Sequence, residues 1–444
     1  MKKLLSAVVL GLALFGLGTL AFSLTQAKLL GIVGALVYLW SSEALPLGVV
    51  SLLPLILFPS FGVLSLKATA PNYAKSIIFL FIGGFLLAIA MQKTKLHEYI
   101  AARLMAIFPK SARGIIYALA ITAATLSAFL SNTTVTIMLM PIALFLSEDI
   151  RLKVRYLIAT AYGASIGGIF TPIGTPPNLI LLGFLEDIHI NPPPFLEWMF
   201  LTAPVVVLMI LIVPWILSLS VKDLQITCKE SIPALNREQK KLGIILLVLM
   251  LLLLANAIVK PFFPSLVLNE KILLLGFGLL LFIPGIDLLE WEDTRDLPYE
   301  IVFLFGAGFA IAAAFIKTGL ASSLAHYLSS FAHLPLFALL FVIALFVSFS
   351  TEVTSNTALT SISLPVFYEF ANKNGLPVEI ILFTATIAAS YAFMLPIATP
   401  PNAIIMSSRV IKIKEMAKIG FIVNLIGVAV VSSTAILLWR YFIG

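Results

Sequence analysis

The sequence predicts an all-α polytopic membrane protein with about eleven transmembrane helices and two re-entrant helical hairpins, laid out as two inverted-topology repeats. Three observations predict it. Hydrophobic residues fill 61% of the 444 positions and charged residues only 11%, more apolar surface than one soluble core could bury. The apolar residues fall in runs long enough to cross hydrocarbon. A set of polar, helix-breaking segments also recurs at a constant offset of 224 residues.

Spans are expected near 3–24, 28–42, 44–61, 75–92, 153–185, 197–220, 241–259, 271–288, 298–317, 377–408 and 417–440. Two further apolar stretches, 112–148 and 334–370, are too long for one span. Each holds Ser-Asn-Thr near its middle, where a tight turn falls, so each reads as a hairpin that enters and leaves on one side. Broken backbone of this kind must be wrapped in protein or face water, because lipid cannot satisfy the freed amides and carbonyls.

Lys and Arg gather in cytoplasmic loops. With Lys2 and Lys3 inside, this layout puts all but eight of the 28 basic residues on the cytoplasmic side. The eight are Lys28, Lys67, Lys75, Lys260, Lys271, Lys317, Lys373 and Arg440. The N-terminus is therefore expected in the cytoplasm, the C-terminus outside, and the protein in the inner (plasma) membrane of the cell. The acidic loop 287–300, with only Arg295, supports the scheme weakly. Met1-Lys2-Lys3 and the run ending Ala21-Phe22-Ser23 have the outline of a secretory signal. The run is long and another span follows at once, so a retained first helix is expected. Loop bias accounts for the net charge of +7 without a nucleic-acid partner. The single cysteine, Cys228, leaves no internal disulfide or cysteine metal cluster and reads as a free loop thiol.

Ser131-Asn132-Thr133 recurs as Ser355-Asn356-Thr357, each followed by a proline, Pro141 and Pro365. Pro172-Ile173-Gly174-Thr175-Pro176-Pro177-Asn178 recurs as Pro396-Ile397-Ala398-Thr399-Pro400-Pro401-Asn402, and Phe79-Leu80-Phe81 as Phe303-Leu304-Phe305. An odd number of crossings separates Phe79 from Phe303 in this layout, so the second copy starts from the opposite membrane face. One hairpin then enters from the cytoplasm and the other from outside, with their tips near the midplane. Paired broken helices in corresponding halves mark the binding site of secondary transporters.

At each tip one helix ends and another begins, so carbonyls suited to a cation and N–H groups suited to an anion face one small volume. Ser127, Ser131 and Asn132 add side-chain oxygens, and Thr351, Ser355 and Asn356 are their mates. Hard oxygen ligands without a carboxylate suit Na⁺ as a coupling ion. Opposite the tips, the Thr-Pro-Pro segments must break their helices and release carbonyls to the ions. Thr133, Thr357, Thr175 and Thr399, with the amides of Asn132 and Asn356, remain to donate to an anion. Neither tip holds Arg or Lys, so co-bound cations must offset the anion's charge, which favours symport.

Glu352 has Ala128 as its counterpart and therefore stands outside the symmetric site. A structural role at the hairpin and an electrostatic influence on the second ion site are both open to it. Glu43 is expected to play a structural role at an interfacial turn. His97, His189, His326 and His333 are expected to be solvated. A membrane enzyme would need a nucleophile, metal cluster or acid/base pair, and the sequence offers no such constellation of His, Asp or Cys.

Together these features resemble the divalent anion/sodium symporter family over nearly the whole chain. The likeness rests on Glu43-Ala44-Leu45-Pro46, Leu53-Pro54, both Ser-Asn-Thr motifs, Thr351-Glu352 and both Thr-Pro-Pro-Asn segments. It implies a secondary transporter of dicarboxylates such as succinate, malate or fumarate, or of citrate or sulfate, with several Na⁺ per substrate. It also implies one sodium site at Ser127, Ser131, Asn132 and Gly174, and another at Thr351, Ser355, Asn356 and Ala398. Asn132, Thr133, Asn356 and Thr357, helped by Thr175, Thr399 and Pro400, would hold the carboxylates. The resemblance further implies a homodimer working as an elevator. Residues 1–110 and 241–333 would form the scaffold. Residues 111–220 (hairpin 112–148, broken helix 153–185) and 334–444 (hairpin 334–370, broken helix 377–408) would slide against it. Some members exchange anions without sodium, and that alternative stays open.

Overall fold

A computed structural model describes residues 1–219, 221, 234–259 and 268–443; Cys228 and Lys260 lie outside them. Every regular element among the described residues is a helix. Helix α1 (Lys2–Gly18) pairs with α2 (Leu24–Ser42), whose start is fixed by a reciprocal Ser23–Gln26 capping box. Glu43 then turns the chain at φ 48°. The expected span 44–61 is divided into two short helices, α3 (Leu47–Leu52) and α4 (Pro54–Ser60), because Pro54 opens a new helix and cannot continue the old one. Ser51 anchors this region, accepting from the Trp40 indole N–H at 3.3 Å while its carbonyl accepts from the Tyr73 hydroxyl at 2.6 Å. Helix α5 (Leu66–Thr69) leads into α6 (Ser76–Lys93) and α7 (Leu96–Ile107).

His97 departs from the expectation of a solvated ring. It is 8% exposed, and its Nδ1 lies 2.9 Å from the Met91 carbonyl. Lys95, at φ 58°, folds α7 back on α6, so the first turn of α7 lands over the last carbonyls of α6. His189, His326 and His333 are exposed.

The hairpin arms are α8 (Ala112–Ser127) and α9 (Asn132–Phe145), followed by α10 (Ile150–Gly167) and α11 (Pro176–Asp187) with a break between them. Helices α12 (Phe195–Ser218), α13 (Arg237–Val259) and α14 (Glu270–Leu280) follow. The expected span 271–288 is helical only over α14, with a turn through Gly285 at φ 93° behind it. The series then returns as α15 (Tyr299–Thr318), α16 (Leu320–Leu328), α17 (Leu336–Ser350), α18 (Asn356–Lys373), α19 (Val378–Ala389), α20 (Pro400–Ser407) and α21 (Ile413–Thr434). Five stretches are long and apolar enough to cross a membrane by themselves: Leu24–Ser42, Leu66–Lys93, Phe195–Ser218, Tyr299–Thr318 and Ile413–Phe442. Many of the remaining helices are shortened by the breaks, and their ends lie inside the protein.

Helices α6 and α14 touch backbone to backbone. A Cβ on Gly83 would stand 2.4 Å from the Leu274 carbonyl oxygen, so only glycine allows this approach. Gly83→Ala is expected to push the pair apart and cost about 1–3 kcal/mol, read as a lower melting temperature in detergent. Gly276→Ala, on α14 with open space around it, should leave the transition unchanged or slightly raised.

Candidate functional site

A cavity of about 300 Å³ lies where both hairpin tips and both breaks meet. Its wall includes Ser131, Asn132, Thr133, Gly174, Thr175, Ser355, Asn356, Thr357, Ala398, Thr399 and Pro400. Ser127 and Thr351 sit directly behind it, fully buried. The two copies carry the same bonds. Ser127 Oγ donates to Asn132 Oδ1 and Thr351 Oγ1 to Asn356 Oδ1, both at 2.5 Å. Thr136 and Thr360 donate to the carbonyls of Asn132 and Asn356, both at 2.7 Å.

Four helices begin at this cavity: α9 at Asn132, α18 at Asn356, α11 at Pro176 and α20 at Pro400. No side chain caps α18, so its first amides remain free to donate, whereas α11 opens on Pro176 and Pro177, which carry no N–H. Helices α9 and α20 pack together, as do α11 and α18, so each hairpin leans on the broken helix of the other copy. Helices α8, α10, α17 and α19 end beside the same region with their carbonyls. The first copy is the tighter one. Gly174 cannot carry a Cβ, which would lie 2.4 Å from the Gly168 carbonyl oxygen, whereas its mate Ala398 lines the cavity with a methyl group. Phe129, Ile173, Val353 and Ile397 add apolar surface, and among the described residues Glu43 is the one charged residue in the wall. Glu43 ends α2 as a left-handed turn residue, as expected, and also lines the cavity beside Trp40 and Ser41.

The breaks are held by residues to which sequence reasoning gave no role. Asn178 Nδ2 donates to the carbonyls of Gly168 (3.1 Å) and Thr171 (2.8 Å), and Asn402 Nδ2 to those of Ala392 (2.9 Å) and Leu395 (3.1 Å). Trp198 and Thr202 of α12 take up the carbonyls of Ile169 and Phe170. In the second copy Tyr162 donates to the Phe393 carbonyl and Ser348 to that of Tyr391. The duplication of Asn178 at Asn402 was the available signal, but Trp198, Thr202, Tyr162 and Ser348 are not duplicated and gave none.

Glu352 makes the contacts of a structural residue. It is 3% exposed, and its carboxylate accepts from the amides of Met394 and Leu395, both at 2.9 Å, and from Asn424 Nδ2 at 2.7 Å. The first copy ties the same places differently, with the Thr171 hydroxyl bonded to the carbonyl of Ala128, the counterpart of Glu352. Glu352→Gln presents an amide NH₂ to groups that are themselves donors. A loss of about 1–3 kcal/mol in stability is expected, measured as a fall in melting temperature of the purified protein.

The residues from 37 to 388 match the citrate transporter family model. A sodium-dependent dicarboxylate transporter, SdcS, of Staphylococcus saprophyticus is 33% identical over 88% of this chain and 82% of its own length. The protein of the same name from Staphylococcus aureus is 31% identical over the same shares. Among solved structures, the efflux pump MtrF of Neisseria gonorrhoeae superposes with a TM-score of 0.61 at 14% identity, covering 84% of this chain and 83% of that one. The YdaH transporter of Alcanivorax borkumensis superposes with a TM-score of 0.54 at 15% identity, covering 84% and 87%. The solved structures speak to the fold alone, and with it the family match over most of the length places the chain in the citrate transporter family, among the divalent anion/sodium symporters.

Proposed function

We propose that the protein is a secondary transporter, not an enzyme, that couples Na⁺ to the uptake of small dicarboxylates of the succinate, malate and fumarate class. The observation that carries this reading is the meeting of four helix N-termini, at Asn132, Pro176, Asn356 and Pro400, in one cavity whose wall, among the described residues, contains no Lys or Arg. Amides and hydroxyls at Asn132, Thr133, Asn356 and Thr357, with Thr175, Thr399 and the turn at Pro400, would bind the carboxylates. Phe129, Ile173, Val353 and Ile397 would flank the carbon chain between them. Sodium would be held as a co-substrate by Ser127, Ser131, Asn132 and Gly174 on one side and by Thr351, Ser355, Asn356 and Ala398 on the other. These oxygens are hard and neutral, which suits a monovalent ion that must leave on every cycle. The relatives' description as sodium-dependent dicarboxylate transporters supports both cargo and ion.

In this reading α1 to α7 and α13 to α16 belong to the scaffold of a homodimer, and the hairpins with the broken helices move as one block. With the N-terminus cytoplasmic, Trp40, Ser41, Glu43, Leu47 and Ile301 would form the cytoplasmic end of the cavity wall, which supports an inward-facing reading of this conformation. The description of the family model as citrate transporters favours citrate as the second substrate to test.

Uptake by the purified protein in liposomes provides the check. Succinate accumulation should require an inward Na⁺ gradient and stop when choline replaces external Na⁺; unchanged uptake in choline would indicate exchange instead. Asn132→Ala and Asn356→Ala should each abolish uptake while the melting transition stays cooperative. Normal transport by both variants would remove the proposed site.

A further inference from the structure

The two copies differ most sharply at the end of the broken helices that faces away from the cavity mouth. There Glu186 and Asp187 close α11, and each pairs across to a neighbouring unit: Asp187 with Lys75 at the start of α6, Glu186 with Lys271 at the start of α14. Ser76 completes the cluster, donating to Glu186 Oε2 at 3.2 Å and accepting from Lys271 Nζ at 2.7 Å. Lys75 also stands 4.4 Å over the ring of Phe309 on α15. All four ionic side chains are only 19–32% exposed, so water and salt screen them less than open surface pairs. At the repeat offset, Lys75, Ser76, Glu186 and Asp187 become Tyr299, Glu300, Val410 and Ile411. The mates of Lys75, Glu186 and Asp187 are therefore uncharged.

We infer that this cluster is a one-sided latch that fastens the sliding block to the scaffold on the external face and biases the resting protein toward the inward-facing state. The inference rests on the elevator reading above. Outward movement of α11 must part Glu186 from Lys271 and Asp187 from Lys75. At the mirrored positions Val410 and Ile411 are apolar, so the pairs made by Glu186 and Asp187 are not repeated there. A difference in contact energy between two states is what sets their populations. The latch thus adds to the inward state alone.

The test measures the distance between spin labels at Leu66→Cys on α5 and His189→Cys beyond α11, both exposed. It uses full-length protein in lipid nanodiscs, with Cys228→Ser as background. Glu186→Gln combined with Asp187→Asn should raise the outward-facing fraction roughly three- to tenfold, and Lys75→Gln with Lys271→Gln should do the same from the other side. Exchanging the charges, Glu186→Lys with Lys271→Glu, should return the distribution toward the parent. If neutralisation from both sides leaves the distances unchanged, or the exchange rescues nothing, the latch is overturned. If the parent shows one distance with and without Na⁺ and succinate, it is the elevator reading that fails.

Discussion

The whole arrangement depends on one constraint: a helix cut inside a membrane exposes amides and carbonyls that lipid cannot satisfy. The protein makes two such cuts, at 168–175 and 390–399, and accounts for them group by group. Carbonyls of Gly168, Ile169, Phe170 and Thr171 meet Asn178, Trp198 and Thr202. The second break draws on Asn402, Tyr162, Ser348, Glu352 and Asn424. Several of the partners are aromatic or amide side chains locked by burial, Trp198, Tyr162, Asn178, Asn402 and Asn424 among them. The broken segments are rigid parts and keep a fixed geometry for whatever binds.

The duplicated chain uses its two copies for the same chemistry but not with the same means. The bonds at Asn132 and Asn356 are equal in kind and length. Behind them, a Thr171 hydroxyl in one copy does what a buried carboxylate does in the other. A neutral tie suffices where the break runs against α12. The second break has consecutive amides, Phe393 to Leu395, turned to one side, and three donors in a row call for acceptors of high capacity, Glu352 and Asn424. The ion-pair cluster at the end of α11 is a further departure from symmetry. Sites kept alike and supports allowed to differ are what one expects if the function needs two equivalent faces around a single guest.

Much of this was legible in the sequence. Helix-breaking residues repeated at one offset located both tips and both breaks within a few residues, because proline leaves a local mark that tertiary context cannot erase. The start of α9 at Asn132 and of α18 at Asn356 follows the motif itself. Other features were hidden. The burial of His97 depends on Lys95 adopting a left-handed turn, which nothing in its neighbours demands. The division of 44–61 into two short helices was signalled by Pro54, but apolar composition outweighed it. Glu352 could not be assigned because its partners lie 42 and more positions away, and such long-range pairing has no periodic trace. Side chains such as Trp198 read as ordinary span residues until a broken carbonyl is placed beside them.

The balance of helix ends explains why the proposed cargo and ion should travel together. Each helix N-terminus carries about half a positive charge and each C-terminus about half a negative one. Four N-termini line this cavity, and in the proposed sites the carbonyl ends behind Ser127 and Thr351 would face the ions, so the backbone field is divided between the two guests. A dianion entering alone would gain from the N-termini but lie close to the carbonyl ends, with no Lys or Arg in the wall to offset its charge. Cations entering alone would crowd positive charge against the same N-termini. Bound together, each occupies the region of its own preference and screens the other. Shared side chains would strengthen the link, since Asn132 and Asn356 present an amide oxygen toward Ser127 and Thr351 and in the proposed site would turn their NH₂ to the guest. An ion that fixes the oxygen also fixes where the NH₂ points, and this mutual orientation is a coupling free energy in the strict reciprocal sense.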